Sequence, residues 1–232
     1  MKKSLSIAYT VLFAVAIFVF IITFSIGLPI YCRFFYYLQI EPLGILENTG
    51  YDYQTIKSSY DAVLDFLTLP GVPFSAGVFK YSESGASHFY DCKVLFNLNA
   101  IALAISTVII IVGIILDKSK KFTLLRWKGF HPAFYSAVGI FVFFLILIGL
   151  VSINFSMAFT VFHKIFFPGK DNWTFDPRFD EIINALPEQF FLNCAILIGA
   201  SIILISLCII VFSILSRKKS QNFKKVLTQT EK

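Results

Sequence analysis

The chain has 232 residues, 57% of them hydrophobic, 17% aromatic and 15% charged, with a net charge of +6. Soluble domains carry about 25% charged residues, so the composition excludes an ordinary water-soluble protein and points to a polytopic membrane protein of one domain. The basic excess would fit a nucleic-acid partner, but its placement along the chain assigns it to membrane topology, and no nucleic acid is expected.

Four uncharged apolar runs, 7–28, 95–116, 134–153 and 190–215, are each long enough to cross a bilayer. A helix rises ~1.5 Å per residue, so ~20 residues cover ~30 Å of hydrocarbon. The first run is too long for the apolar part of a signal peptide and no small-x-small cleavage site follows it, so it is read as a retained helix. Between the runs lie loops 29–94, 117–133 and 154–189, and a basic tail, 216–232, is read as a mobile segment touching anionic lipid heads. The two ends together with loop 117–133 hold 13 of the 20 Lys and Arg, but only Asp117 and Glu231 of the 14 acids. That side carries +11 against −5 for the other, so both termini are expected in the cytoplasm and the two longer loops outside. The fold class is therefore an all-α polytopic membrane protein with four transmembrane helices and two extracytoplasmic loops.

Both outer loops contain helical signals. Ile56, Tyr60, Val63, Leu64 and Leu67 recur at helical spacing, predicting a one-sided helix over 55–69 that Pro70 ends. Phe155, Phe159, Phe162 and Phe166 form an aromatic stripe, predicting an interfacial helix that Pro168-Gly169 breaks. Asp176 followed by Pro177 has the pattern of a helix cap and first turn.

Cysteine use is sparse: Cys32 and Cys92 could pair, but no CxxC occurs. There is no phosphate loop, GxSxG or HExxH. Of the three histidines, His131 is expected at the cytoplasmic boundary, whereas His88 and His163 both fall outside, close to a membrane surface. Two histidines on one face can supply general acid and base roles, or simply be interfacial side chains with an apolar body and a polar tip. Polar residues gather at the same level. Glu83 and Asp91 flank His88, and Asp171, Asp176 and Asp180 follow His163, as candidate carboxylates to orient a ring. Asn97, Asn99, Asn154 and Asn193 offer amides for an oxyanion or for helix capping. Trp173 reads as an aromatic-belt anchor, and Lys93 as a contact for an acid or a lipid phosphate. A metal set of His88, His163, Glu83 and another carboxylate has no diagnostic spacing.

Phe162-His163-x-x-Phe166-Phe167, then Trp173-x-Phe175-Asp176-Pro177 and Leu186-Pro187-Glu188-x-Phe190-Phe191, together with Glu83-x-x-x-x-His88-x-x-Asp91-x-Lys93, resemble the signature of a family of bacterial four-span membrane proteins. That family includes the lipoprotein intramolecular transacylase of low-GC Gram-positive bacteria, and the resemblance runs from the first span to the fourth. It implies an acyltransferase at the outer face of the plasma membrane. The substrate would be a diacylated lipoprotein, and the sn-2 acyl chain would pass to the α-amine of its N-terminal cysteine, giving a lyso-form lipoprotein. The family's two outer histidines match His88 and His163, no cofactor or metal is implied, and Glu83, Asp91, Lys93, Asn97, Asn154, Trp173 and Asp176 are supporting candidates. The competing readings are an outer-leaflet lipid or peptide hydrolase, with or without a metal, and a non-catalytic assembly or sensor protein.

Overall fold

The computed structural model describes residues 2–230, with side chains from Ser4 to Asn222. The described residues form helices α1 (Lys2–Tyr31), α2 (Phe34–Tyr37), α3 (Ile45–Thr49), α4 (Tyr53–Thr68), α5 (Glu83–Lys118), α6 (Pro132–Ile153), α7 (Phe155–Phe166), α8 (Ile182–Ala185) and α9 (Glu188–Thr230). Four of them, α1, α5, α6 and α9, are long and apolar enough to cross a membrane. Their surfaces carry large apolar side chains, such as Ile153 at 80% exposed, which water would not tolerate over so wide an area and lipid does.

Two helices run further than their apolar stretches. Helix α5 begins at Glu83, twelve residues before the uncharged run, because Ser82 caps it: Ser82 Oγ accepts from Gly85 N at 2.9 Å. Helix α9 continues into the basic tail as far as Thr230, so the described part of the segment expected to be mobile, 216–230, is helical. In the reverse sense, Asp176-Pro177 opens no helix. The Asp176 side chain accepts from Arg178 N and its carbonyl from Phe179 N and Asp180 N, closing a turn, and the helix that follows, α8, has only four residues.

The chain divides into two compact units. The first comprises residues 1–25, 102–148 and 199–232. Here Phe13 is buried where Gly113 leaves space for it: a Cβ on Gly113 would lie 2.4 Å from the Phe13 ring. Tyr9 donates its hydroxyl to Gly113 O at 2.6 Å, and Ser136 Oγ donates to Ala14 O at 2.8 Å.

The second unit comprises residues 26–101 and 149–198 and contains a continuous aromatic and aliphatic core. Helix α4 supplies its floor. Asp52 caps α4 through Gln54 N and Thr55 N, and Ile56, Tyr60, Val63, Leu64 and Leu67 all face inward as the spacing predicts. Tyr36 stacks on Tyr60 at 3.8 Å, Phe190 meets it edge-on at 5.2 Å, and its hydroxyl donates to Ala185 O at 2.8 Å. The phenol is thus paired although its ring is fully buried. Arg33 ties α4 down through Asp61 and Asp65. All four cysteines are free thiols, so Cys32 and Cys92 do not pair.

Candidate functional site

The first turns of α5 and the last turns of α7 bring His88 and His163 together. Both side chains are 6% exposed, and their ring centroids lie 5.6 Å apart at an interplanar angle of 36°. They are separated by 75 residues in the chain, and what joins them is the segment after α7.

That segment is pinned to the start of α5 at two levels. Lys80 N donates to Glu181 Oε2 at 3.1 Å, and Glu181 N donates to Lys80 O at 3.0 Å. Deeper in, the buried Asp180 carboxylate accepts from Ser82 N at 2.8 Å and from Ser82 Oγ at 2.9 and 3.1 Å. Ser82 is the α5 cap, so Asp180 fixes where α5 begins. Gly85 allows the approach, since a Cβ there would stand 2.3 Å from Asp180 Oδ1. His88 follows one turn later.

Helical spacing then sets the neighbours of His88. Asp91 and Cys92 lie three and four residues on, over the same face. Cys92 Sγ sits 3.4 Å from His88 Nε2, while the buried His88 Nδ1 has no hydrogen bond within 3.5 Å among the described residues. Asp91 is bound by Lys170, and by Asn172 Nδ2 at 2.9 Å. The same Asn172 amide reaches Ser87 Oγ at 3.3 Å. This cluster closes one wall of the site with a salt bridge and an amide.

Helix α7 does the corresponding work for His163. Asn154 caps it by accepting from Met157 N at 2.9 Å, and His163 is its one fully buried side chain. His163 Nδ1 lies 2.7 Å from the carbonyl of Phe159, one turn earlier. A carbonyl only accepts, so Nδ1 carries the proton and Nε2 keeps its lone pair. Trp173 stacks on the ring at 4.8 Å and 28°, and Phe159 and Phe162 flank it at 4.3 and 5.4 Å. Phe167 touches both histidines, and Phe175 packs on His88. Burial in this box pushes the His163 pKa below the ordinary histidine value, and the Phe159 hydrogen bond opposes the shift without cancelling it. His163 is therefore neutral at physiological pH, with a free basic nitrogen.

The other candidates separate into two groups. Asp91 and Trp173 join the histidines. Glu83 is exposed in the first turn of α5 and makes no hydrogen bond or ion pair among the described residues. Lys93 donates to Leu69 O at 3.2 Å and lies over the Phe66 ring, fastening the end of α4 and meeting no acid. Asp176 is held by Arg178, which draws it down to about 2, and is not bonded to His163. Asn97 is exposed and Asn154 is spent on its cap. Asn193 bonds Gln39 and Gln189. The amide at the site is Asn172, which reading by loop position overlooked, as it did Lys170, Ser82 and Gly85, while Asp180, a candidate to orient His163, holds Ser82 instead. Among the described residues no three His, Cys, Asp or Glu are grouped as metal ligands.

A family model described as "Lipoprotein intramolecular transacylase Lit" matches residues 11–191. The membrane-integral Lit structure from Bacillus cereus is similar at 25% identity and a TM-score of 0.83, over 95% of this chain and 100% of that one. Two structures of the same Bacillus cereus protein with a histidine replaced by arginine or by alanine align at 23% and 24% identity, with TM-scores of 0.77 and 0.76. No curated protein matches the chain. The chain belongs to the lipoprotein intramolecular transacylase Lit family, a family of acyltransferases.

Proposed function

From this membership we propose that His88 and His163 carry an O-to-N acyl transfer within a single bound diacylated lipoprotein. The sn-2 ester of its S-diacylglyceryl group is the acyl donor, the α-amine of its N-terminal cysteine is the acceptor, and the product is the lyso-form. The observation that carries the assignment is the buried histidine pair, in which the Phe159 carbonyl leaves His163 Nε2 as a base.

The amine enters the site neutral and attacks the ester carbonyl. A nitrogen–carbon bond forms, the carbon–oxygen bond to glycerol breaks, and one proton travels from the amine nitrogen to the departing oxygen. His163 takes that proton at Nε2. His88 partners it, donating to the oxygen on which negative charge develops. Two imidazolium rings this close would repel one another, so the pair holds one mobile proton at a time. Such a proton transfer is worth ~10²–10⁴-fold. Holding amine and ester of one molecule together supplies several kcal/mol more. Attack inside one substrate also needs no acyl-enzyme. The aromatic box formed by Phe159, Phe162, Phe167, Trp173 and Phe175 favours the amine over water as nucleophile, because it limits access of solvent to both rings.

On the same reading the site faces outward from the bacterial plasma membrane and both termini are cytoplasmic, supported by the +11 to −5 division of charge. The deciding experiment expresses the chain in a host that makes only diacylated lipoproteins and sequences their N-termini by mass spectrometry. A mass-neutral rearrangement with N-acyl fragment ions is expected. Unrearranged N-termini at good expression would reject the proposal.

A further inference from the structure

A cavity lies within the unit formed by residues 1–25, 102–148 and 199–232. The loop between α5 and α6 is fixed in place. Leu124 N donates to Asp117 Oδ1 at 2.8 Å, and Leu125 N donates to Thr10 Oγ1 at 3.0 Å. Trp127-Lys128-Gly129-Phe130 then reverses the chain in a tight turn, closed by Phe130 N on Trp127 O at 2.9 Å. Both central residues have positive φ, +48° for Lys128 and +79° for Gly129. This is the geometry that Asn-Gly or Gly-Gly usually fills. A lysine held there is strained, and the Tyr135 hydroxyl braces the turn from outside by donating to Trp127 O at 2.6 Å.

The turn borders a cavity of about 880 Å³ between α1, α6 and α9. Its lining includes the apolar Ile17, Cys208 and Phe212 and the cations Arg126, Lys128 and Arg217. Among the described residues lining it there is no Asp or Glu, and none of the three cations makes an ion pair with a described residue. Arg217 lies over Phe130, its guanidinium carbon 4.4 Å from the ring centre, and its buried Nε has no hydrogen-bond partner among the described residues. Along α9, lining residues recur every four positions, from Cys208 through Phe212 and Ser216 to Ser220. One helix face therefore passes from apolar to polar as it leaves the span.

We infer that this cavity binds an anionic phospholipid of the adjoining leaflet, with its phosphate among Arg126, Lys128 and Arg217 and the start of an acyl chain on Ile17, Cys208 and Phe212. Three cations with no ion-pair partner among the described residues account for the anion. The apolar part of the lining and the gradient along α9 account for its being a lipid and not a free anion, and the volume lies within the range of about 300–1,000 Å³ usual for built ligand sites. The site is separate from the histidine pair and does not depend on the reaction proposed for it.

Native mass spectrometry of the full chain in mild detergent tests the inference, with dioleoyl phosphatidylglycerol, dioleoyl phosphatidylcholine and inorganic phosphate as separate probes. One phosphatidylglycerol per chain should survive delipidation while phosphatidylcholine is lost, and each cation removed should lower retention by about fivefold. The variants are Arg126→Gln, Lys128→Gly, which also relaxes the turn, and Arg217→Gln. Should the combined variant fold poorly, the wild-type chain decides alone: its melting temperature should rise with phosphatidylglycerol and not with phosphatidylcholine or phosphate. Equal retention of both lipids, unchanged retention in the folded variants, or an equal thermal shift from inorganic phosphate would overturn the inference.

Discussion

Gly85→Ala offers the most direct test of how the site is positioned. The new Cβ would sit 2.3 Å from Asp180 Oδ1 and 3.2 Å from the Phe175 ring. Non-bonded contact requires movement of roughly 1 Å. Phe175 can give by a few tenths of an ångström, but Asp180 is 5% exposed and accepts three contacts from Ser82. If the carboxylate yields, two hydrogen bonds to a buried charge are lost, at about 1.5–3 kcal/mol each. If α5 yields instead, His88 moves with it, and a 1 Å misplacement costs on the order of 10² in rate. Either way Gly85→Ala should reduce transacylation by one to two decades and lower the melting temperature by roughly 6–24 °C, at about 2–4 °C per kcal/mol. The assay is the rate of appearance of N-acyl lipoprotein by mass spectrometry, beside a thermal melt in detergent. The argument has a sharper form. Asp180→Ala alone should be costly, because Ser82 loses its acceptor. In that background Gly85→Ala should cost almost nothing further, because the atom it strikes is gone. A wild-type-like single variant, or additive costs in the double variant, would refute this account of how α5 is placed.

Further outcomes follow from the same geometry. His163→Ala and His88→Ala should each lower activity by at least about 10² at unchanged membrane abundance, and wild-type-like product from both would rule out the pair as the proton carrier. The working form of His163 is neutral and burial lowers its pKa, so activity is retained at neutral pH and lost as pH falls through a value below 6.5. Trp173→Ala opens the box to water and should move that acid limb up towards 6.5, a shift read from initial rates at a series of pH values; a limb that stays put would mean the stacking does not desolvate the ring. Asn172→Ala frees one oxygen of Asp91 and should cost about tenfold in rate, whereas an unchanged rate would make the amide incidental. For orientation, Asp171→Cys in a chain otherwise lacking cysteine should react with a membrane-impermeant maleimide on intact cells and Lys121→Cys should not; the reverse pattern would invert the topology.

The parts of this molecule that can be read along the chain are those whose signal is periodic or additive. Four apolar runs identify four spans, because the lipid requirement sums over ~20 consecutive residues. The inward residues of α4 follow from 3.6-residue spacing, and the stripe of Phe155, Phe159, Phe162 and Phe166 anticipates α7. Helix ends obey a different rule. Hydrophobicity marks where lipid begins, whereas α5 starts at its Ser82 cap, in polar sequence. Asp176-Pro177 carries a capping signature, but its side chain closes a turn on Arg178, a local competition that the pattern alone does not rank.

The site divides along the same line. The two histidines mark themselves by rarity and by lying close to the ends of apolar runs. Their pairing does not, because it depends on contacts between residues about 80 to 100 positions apart, such as Asp91 with Lys170 and Asn172, Lys80 with Glu181, and Ser82 with Asp180. Apart from Asp91 and Asp180, which lie near a histidine in sequence, none of these residues has a local reason to be functional. Asn172 is an ordinary loop asparagine until Asp91 is opposite it, and Gly85 an ordinary helix glycine until Asp180 fills the space where its Cβ would stand. Trp173 illustrates the point most clearly, since its composition and position are those of an interfacial anchor. Stacking it on His163 removes water from the ring and helps hold the imidazole neutral, so a residue that sequence assigns to the lipid surface helps to set the protonation state of the base.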